Sequence, residues 1–422
     1  MLPESLAAAR AVLGTMPEIH IETALTQFAG TQRLLTGELM RQAAGADGPE
    51  PGLSRVVPAA LDALGEHTRW LRDRLAAGRR DGFRDPRLGT EQFSRKLRLV
   101  LDTELPVEQI LARAEAELAR MTAELTVAAA ELTGGPEGPD TVRAALGSLA
   151  AERCDDTTIL DFVRAAFGAQ RDFVTAHDLV TVFDDPVEVI AMPEIDRGVA
   201  VAYCDSPGPR ETAALPTFIA VSPTPEDWAP ERVRSFYREY NRHMIHNIMI
   251  HEAMPGHALQ LQHSRRFTAA SPVRTAWRSG SFVEGWAVYA ELVMNSHGYP
   301  GEGNPAALRT QRLKAKIRSV INAIMDTRVH CLGMTEAEAM ALMTGPGYQE
   351  DGEAAGKWRR VLLTSAQLST YFVGFLEVSG LAGDLRRAHP DWPERRLHDA
   401  MLAHASPPPR HLRTLLGAGP AG

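Results

Sequence analysis

The sequence predicts a mainly α fold that carries one small β-sheet. Apolar residues recur at helical spacing over most of the chain, as in Ile110, Leu111, Ala114, Leu118, Met121 and Leu125. Between about residues 179 and 223 this pattern gives way to short β-branched runs separated by Pro, Gly and Asp. Beyond Pro230 the helical pattern resumes and holds almost to the end.

Residues 1–86 read as an N-terminal helical segment around a linker, Gly45-Ala46-Asp47-Gly48-Pro49-Glu50-Pro51-Gly52, whose Gly and Pro content marks a loop. Residues 87–422 read as the main helical body, and the two parts are expected to form one compact unit. Gly89-Thr90-Glu91-Gln92-Phe93 leads into one helix. Pro106-Val107-Glu108-Gln109 opens the next, with Pro at its entry and an acid in its first turn. Gly134-Gly135-Pro136-Glu137-Gly138-Pro139 ends it. The strand candidates are Leu179–Phe183, Val187–Ile190, Val199–Tyr203 and Thr217–Val221. A sheet edge can hold an extended peptide-like substrate, and Thr217–Val221 is the candidate for it. An ordinary structural strand is the commoner role of such a run.

Composition narrows the function classes. The chain has 422 residues, 44% hydrophobic and 23% charged, which is ample material for a globular core. A net charge of −8, with no basic stripe, argues against nucleic acid as a partner. No apolar run reaches the length of a membrane span. Met1-Leu2-Pro3-Glu4-Ser5 lacks the basic and apolar regions of a signal peptide. The three cysteines, Cys154, Cys204 and Cys331, are odd in number and far apart, which suits a reducing compartment. The expected location is the cytoplasm.

The chemistry concentrates in His251-Glu252-Ala253-Met254-Pro255-Gly256-His257. Zinc hydrolases commonly carry His-Glu-x-x-His, which puts two imidazoles on one helical face beside a Glu that serves as base. Here the second His follows six residues after the first. Six steps turn a helix by roughly 240°, so a straight helix would aim the rings apart. Pro255 and Gly256 stand where a helix would break. The competing reading is a Pro-Gly helix stop in a His-rich stretch that also holds His243, His246 and His263. A catalytic zinc needs about three protein ligands and an open position for water. Ser281-Phe282-Val283-Glu284-Gly285-Trp286-Ala287-Val288-Tyr289-Ala290-Glu291 offers two acids seven residues apart, about 10 Å along a helix axis. One of them is a candidate ligand, and the other a candidate acceptor for the free N–H of a ligating His. Spacing does not choose between them.

These segments resemble the bacterial family catalogued as domain of unknown function 885. Its pattern is His-Glu-x-x-Pro-Gly-His-x-x-Gln followed by Glu-Gly-Trp-Ala-x-Tyr-x-Glu. The likeness continues through Asp326-Thr327-Arg328-Val329-His330, Gln367-Leu368-Ser369-Thr370-Tyr371 and Leu397-His398-Asp399, and covers roughly residues 87 to 415. The preceding region looks shorter than in typical members. The resemblance implies a large helical metallopeptidase-like bundle with the small sheet beside the active-site cleft. It implies Zn²⁺ held by His251, His257 and Glu284, with Glu252 as base and Glu291 behind the ligands. Pro255-Gly256 then becomes a built-in interruption that swings His257 back to the metal. The geometric requirement is a broken helix with His251, His257 and Glu284 converging.

Asn322, Asp326 and His330 recur every four residues opposite the apolar stripe of Ile317, Val320, Ile321, Ile324 and Cys331. The pattern alone favours a solvated face; the resemblance favours a cleft wall, with His330 as a second acid/base or oxyanion group and Asp326 as a supporting acid. Tyr371 is a candidate O–H donor to an oxyanion, weighed against simple packing. Arg328 and Arg360 are candidates for bidentate binding of a substrate carboxylate, and Gln367 joins them as a substrate contact. The chain departs from the family at Lys357-Trp358-Arg359-Arg360-Val361, where members tend to have Glu-Val-x-Arg-Tyr, and at Ser365-Ala366, where a Pro-Gly is lost. The region around His404-Ala405-Ser406 also lacks the family's Gly. The expected function is zinc-dependent hydrolysis of an amide or peptide bond in a small peptide or amide-containing metabolite. A pathway enzyme using the same shell on one metabolite, and a structural zinc protein, are the alternatives.

Overall fold

The computed structural model describes residues 2–37, 44–45, 48–49, 51–193, 196–197, 200–211, 213–268 and 271–418. They group into two compact units, Met1–Leu88 and Gly89–Gly422. The first unit holds α1 (Leu2–Val12), α2 (Glu18–Thr36), the two-residue strands β1 (Ala44–Gly45) and β2 (Gly48–Pro49), and α3 (Pro51–Asp81). Leu6, Ala63 and Leu64 form its buried core, with Phe28 and Leu35 packed on it. The loop expected over residues 45–52 is interrupted: β1 and β2 pair antiparallel, and Pro51 already begins α3. Ala46, Asp47 and Glu50 lie outside the described residues.

The second unit opens with α4 (Thr90–Leu101), α5 (Val107–Thr133), α6 (Pro139–Leu149) and α7 (Ile159–Ala176). The helix expected after Pro106 is α5, and it stops at Gly134, whose φ of 71° is the left-handed C-cap geometry that glycine adopts freely. Its face of Ile110, Ala114, Met121 and Leu125 is buried, while Leu111 and Leu118 are half-buried. The strands β3 (Val187–Ala191), β4 (Ala202–Asp205) and β5 (Thr217–Val221) follow. Then come α8 (Pro230–Glu239), α9 (Arg242–Glu252), α10 (His257–Arg266), α11 (Pro272–Ala276), α12 (Gly280–Ser296), α13 (Pro305–Leu332), α14 (Glu336–Thr344), α15 (Asp351–Leu363), α16 (Thr370–Ala388), α17 (Glu394–Leu402) and α18 (Pro409–Leu415). The molecule is mainly helical with one three-stranded sheet, besides the short β1–β2 pair.

Two of the strand expectations need correction. Leu179–Phe183 is not a strand: its polar groups are taken by side chains instead of a ladder. The Thr181 N–H donates to Asp399 Oδ1, and the Leu179 and Thr181 carbonyls meet His398 Nδ1 and His263 Nε2. Thr217–Val221 is a strand but not an edge. The order is β3-β5-β4, with β5 parallel to β3 and antiparallel to β4, so both its sides are paired. The strand expected at Val199–Tyr203 is displaced to Ala202–Asp205, and Val199 lies outside the described residues.

The long α13 organises this unit. Asn304 caps it by accepting from the Ala307 N–H, Pro305 occupies its first turn, and Gly333 closes it at φ 71°. One face packs Leu313, Ile317, Ile321, Met325 and Val329 against Met121, Leu125, Ala128 and Ala129 of α5. A second core gathers α7, the sheet, α9, α12, α16 and α17 around Trp286, Phe282, Met249 and Leu381. Helices α12 and α16 pack most closely. A Cβ added at Gly285 would lie 2.4 Å from Gly374 backbone atoms, and one at Gly374 would lie 2.2 Å from the Ser281 carbonyl oxygen. Only glycine permits backbones that close. Among the described residues no helix is long and apolar enough to cross a membrane.

Candidate metal centre

The helix carrying His251 breaks where the sequence requires. Helix α9 is capped by Asn241, runs to Glu252, and stops; α10 starts at His257. Ala253–Gly256 bridges them, with a cis peptide between Met254 and Pro255. The Gly256 N–H donates to the Ile250 carbonyl at 3.0 Å, folding the chain back on the last turn of α9. A Cβ at residue 256 would sit 1.8 Å from the His251 carbonyl oxygen, so the reversal admits only glycine. From α12, the Trp286 indole N–H donates to the Pro255 carbonyl at 2.9 Å and ties the bridge to the helix that carries Glu284.

The reversal brings the two rings together. The His251 and His257 centroids are 4.7 Å apart with ring planes at 87°. His251 Nε2 stands 3.3 Å and His257 Nε2 3.6 Å from Glu284 Oε2. One donor atom from each of the three residues lies within 4.8 Å of the others, and this is the group of that kind found among the described residues. Glu291 is not part of the trio. It lies behind it, accepting from His251 Nδ1 at 2.8 Å and from Asn247 Nδ2 at 2.9 Å. Tertiary geometry thus makes the choice between the two acids that spacing left open.

The donor set fits a divalent metal such as zinc. Glu291 engages His251 through Nδ1, which turns Nε2 toward Glu284. Glu284 Oε2 and His257 Nδ1 are buried without a hydrogen-bond partner among the described residues. Side-chain exposures of 15%, 11% and 24% for His251, His257 and Glu284 leave the trio reachable. Charges in the site are strongly coupled. Burial opposes charge on His251, but contacts with Glu284 and Glu291 outweigh it and hold its pKa well above the ordinary value. Burial likewise opposes charge on Glu284, and the two imidazoles hold its carboxyl well below the usual range.

Glu252 ends α9 next to the trio. Burial raises its carboxyl above the usual range, partly offset by the His257 and His251 charges. The Cys204 backbone N–H of β4 lies close enough to lower it slightly. In the β4–β5 ladder the Ser222 N–H donates to the Val201 carbonyl, and antiparallel alternation then turns the Cys204 amide away from β5. The sheet edge that reaches the site is therefore β4, in place of the expected β5.

The remaining expected residues separate into two groups. Arg360, Gln367 and Tyr371 come together: Arg360 Nη2 donates to Gln367 Oε1 at 2.9 Å and to the Tyr371 hydroxyl at 3.3 Å. Asp326, His330 and Arg328 take other places. Asp326 is fully buried, accepting from the Ala366 and Ser369 N–H groups and the Ser369 hydroxyl. His330 is buried, stacked on Phe93, with Nε2 against the Val361 and Thr364 carbonyls. Two carbonyl acceptors require a protonated Nε2, so this ring clamps the α15–α16 connection and is not an oxyanion group. Arg328 is half-buried and its guanidinium pairs with Glu115 at 2.6 Å. Asn322 is buried too, so this side of α13 is no solvated face.

Asn247 and Trp286 are site residues that the sequence reasoning did not pick out. Asn247 is four residues before His251 on the same helix face, the one signal that marks it. The Cys204 amide carries no sequence signal, because any residue supplies a backbone N–H.

Comparisons with known proteins come from sequence and from structure. No curated protein matches the chain. A solved structure from Shewanella oneidensis, provisionally described as a lipoprotein of unknown function, is 28% identical with a TM-score of 0.81, covering 98% of this chain and 76% of that one. A second, from Colwellia psychrerythraea and also described provisionally as a lipoprotein, is 16% identical with a TM-score of 0.78, covering 98% and 72%, and shows the fold alone. The family profile described as bacterial protein of unknown function (DUF885) matches residues 1–416, reaching through the N-terminal unit that the motif likeness left out. The chain belongs to the DUF885 family.

Proposed function

We propose that the protein is a zinc-dependent hydrolase of an amide or peptide bond, with Glu252 as general base. The observation that carries this reading is the convergence of His251, His257 and Glu284 within 4.8 Å across an interrupted helix. Zinc at such a trio supplies Lewis acidity to a carbonyl and lowers the pKa of a bound water. Glu291 keeps His251 in the tautomer that presents Nε2. Glu252, its basicity raised by burial, takes a proton from the attacking water and delivers it to the leaving nitrogen. The β4 edge, which meets Glu252 through Cys204, borders the cleft. Three donors with partial exposure favour a catalytic over a structural metal, which would close its shell with four.

Elemental analysis should find one zinc per chain, lost in His251→Ala, His257→Ala and Glu284→Ala. Glu252→Gln should keep zinc yet lose roughly 10²–10⁴-fold in turnover on a library of peptides and N-acyl amino acids. Undiminished turnover in that variant sinks the base assignment. Full zinc occupancy with no cleavage of the library would move the reading to a pathway enzyme acting on one metabolite. Cytoplasmic residence belongs to the same proposal, supported by three cysteines that form no disulfide. Because both similar structures carry lipoprotein descriptions, fractionation of the native host is the deciding measurement.

A further inference from the structure

A group of cations on α4, α13 and α15, near the α15–α16 connection, has too few acids to match it. Arg360 is half-buried, and its guanidinium meets two neutral partners, Gln367 and Tyr371. No described carboxylate pairs with it. One turn earlier on α15, Lys357 pairs with Glu353 at 3.6 Å, and Arg318 of α13 reaches the same carboxylate at 4.0 Å. Arg318 also approaches Glu239 at 3.8 Å, but Glu239 is already engaged by Lys314 at 2.8 Å. Lys96 donates to the Ser365 hydroxyl at 2.6 Å, two residues from Gln367. Holding a guanidinium partly out of water against neutral partners is costly, and an incoming anion offsets that cost.

Tyr371 completes the arrangement. Its hydroxyl accepts from Arg360 at 3.3 Å and from Gln367 Nε2 at 3.5 Å. Its own proton has no described acceptor and is available to a ligand. A planar guanidinium beside an O–H donor is a set that suits a carboxylate.

The location ties this set to the metal trio. Thr370 lies against Gly280, where a Cβ would be 3.6 Å from Thr370 Cγ2, and Gly374 lies against Gly285 and Ser281. Numbers rise together along both helices, so α12 and α16 run in the same direction. Tyr371 is three residues before Gly374, and Glu284 is next to Gly285. The two therefore stand near the same crossing, within about one helical turn, or 5.4 Å, along the axis.

We propose that Arg360, Gln367 and Tyr371 bind a carboxylate of the substrate, so that the enzyme acts on short amides bearing a free acid, such as N-acyl amino acids or the C-terminal end of a peptide. Lys357 and Arg318 supply the surrounding positive potential. The inference rests on the hydrolase reading for the reaction, but not for the binding.

The test uses the zinc-loaded full chain with Glu252→Gln, which binds without turnover. Calorimetric titration compares an N-acetyl dipeptide acid with its C-terminal carboxamide. The acid should bind at least about tenfold tighter, as expected for charge-assisted hydrogen bonds. Adding Arg360→Gln should erase that preference with zinc content unchanged. Arg360→Lys should retain part of it and guards against a folding defect, with thermal melts run on each variant. Arg143→Gln, at an exposed residue paired with Asp140, should change nothing. Equal binding of acid and amide, binding of neither, or a preference surviving Arg360→Gln overturns the proposal. The hydrolase reading fails separately, through zinc content and the turnover of Glu252→Gln.

Discussion

Glu291 accepts a hydrogen bond from Nδ1 of His251 at 2.8 Å, and Asn247 steadies the same carboxylate at 2.9 Å. The contact decides which nitrogen of His251 faces Glu284 and His257. Outer partners of this kind set ligand orientation and basicity, and their loss typically costs 10–100-fold in metal affinity. Glu291→Ala should therefore weaken zinc binding by about that factor while leaving the other donors in place. Competition against a chelator of known affinity measures it. Wild-type affinity in the variant would show that Glu291 does not support the site.

Gly256→Ala should damage stability and metal binding together. Its Cβ would lie 1.8 Å from the His251 carbonyl oxygen and 2.3 Å from that of Ile250, both backbone atoms that cannot rotate away. Relief requires α9 or α10 to move, and each carries one histidine of the trio. A loss of about 1–3 kcal/mol or more in denaturant unfolding is expected, with zinc content reduced. Gly147→Ala, where the added Cβ meets nothing within 4 Å, is the matched control.

Asp326→Asn tests the clamp under Tyr371. Asp326 accepts two backbone N–H groups and one hydroxyl within residues 366–369, just before α16 begins. Amide substitution removes acceptor capacity from a buried position. The expected cost is about 1.5–3 kcal/mol in urea unfolding, as for hydrogen bonds to a charged group. An unchanged midpoint would show that the clamp does not stabilise the connection.

Lys316 makes stability depend on pH. It is buried on α13, its Nζ has no hydrogen-bond partner among the described residues, and it lies 3.0 Å from the centroid of the Phe375 ring. Burial lowers its pKa to about 7, against raising effects of Glu117 and Glu291 and lowering effects of Arg312 and Arg120. The unfolded chain binds this proton up to its ordinary value of 10.5, so between about 7 and 10.5 it holds more proton than the native state. Stability from this group therefore rises with pH across that window, and its cost is fully present below it. Lys316→Met should be stabilising by a few kcal/mol at pH 6, since each tenfold loss of proton affinity on folding costs about 1.36 kcal/mol, and the gain should shrink towards pH 10. Urea melts at both values decide it. A gain independent of pH would show that packing, not charge, is responsible.

Much of the helical framework was readable in the chain. Helix α5 obeys its apolar period and stops at its glycine, and β3 and β5 lie where β-branched runs predict. Leu179–Phe183 misled because side chains of Asp399, His398 and His263, more than eighty residues away in sequence, replace the ladder it lacks. Asp326, His330 and Arg328 misled for a related reason. A helical period assigns residues to faces, but it does not say whether a face meets a cleft, a loop or solvent.

Local chemistry in the sequence determined the helix break at Pro255-Gly256, because neither residue continues a helix there and only glycine fits under the His251 carbonyl. It also named His251, His257 and Glu252, and narrowed the third donor to Glu284 or Glu291. The family resemblance already placed Glu284 with the imidazoles and Glu291 behind His251, as the structure has them; the tertiary structure alone decided that β4 presents the free edge and that Arg360, Gln367 and Tyr371 share one corner. Each depends on where a second helix or strand crosses the first. That placement is set by packing, as at the Gly285–Gly374 contact, between residues far apart in the chain.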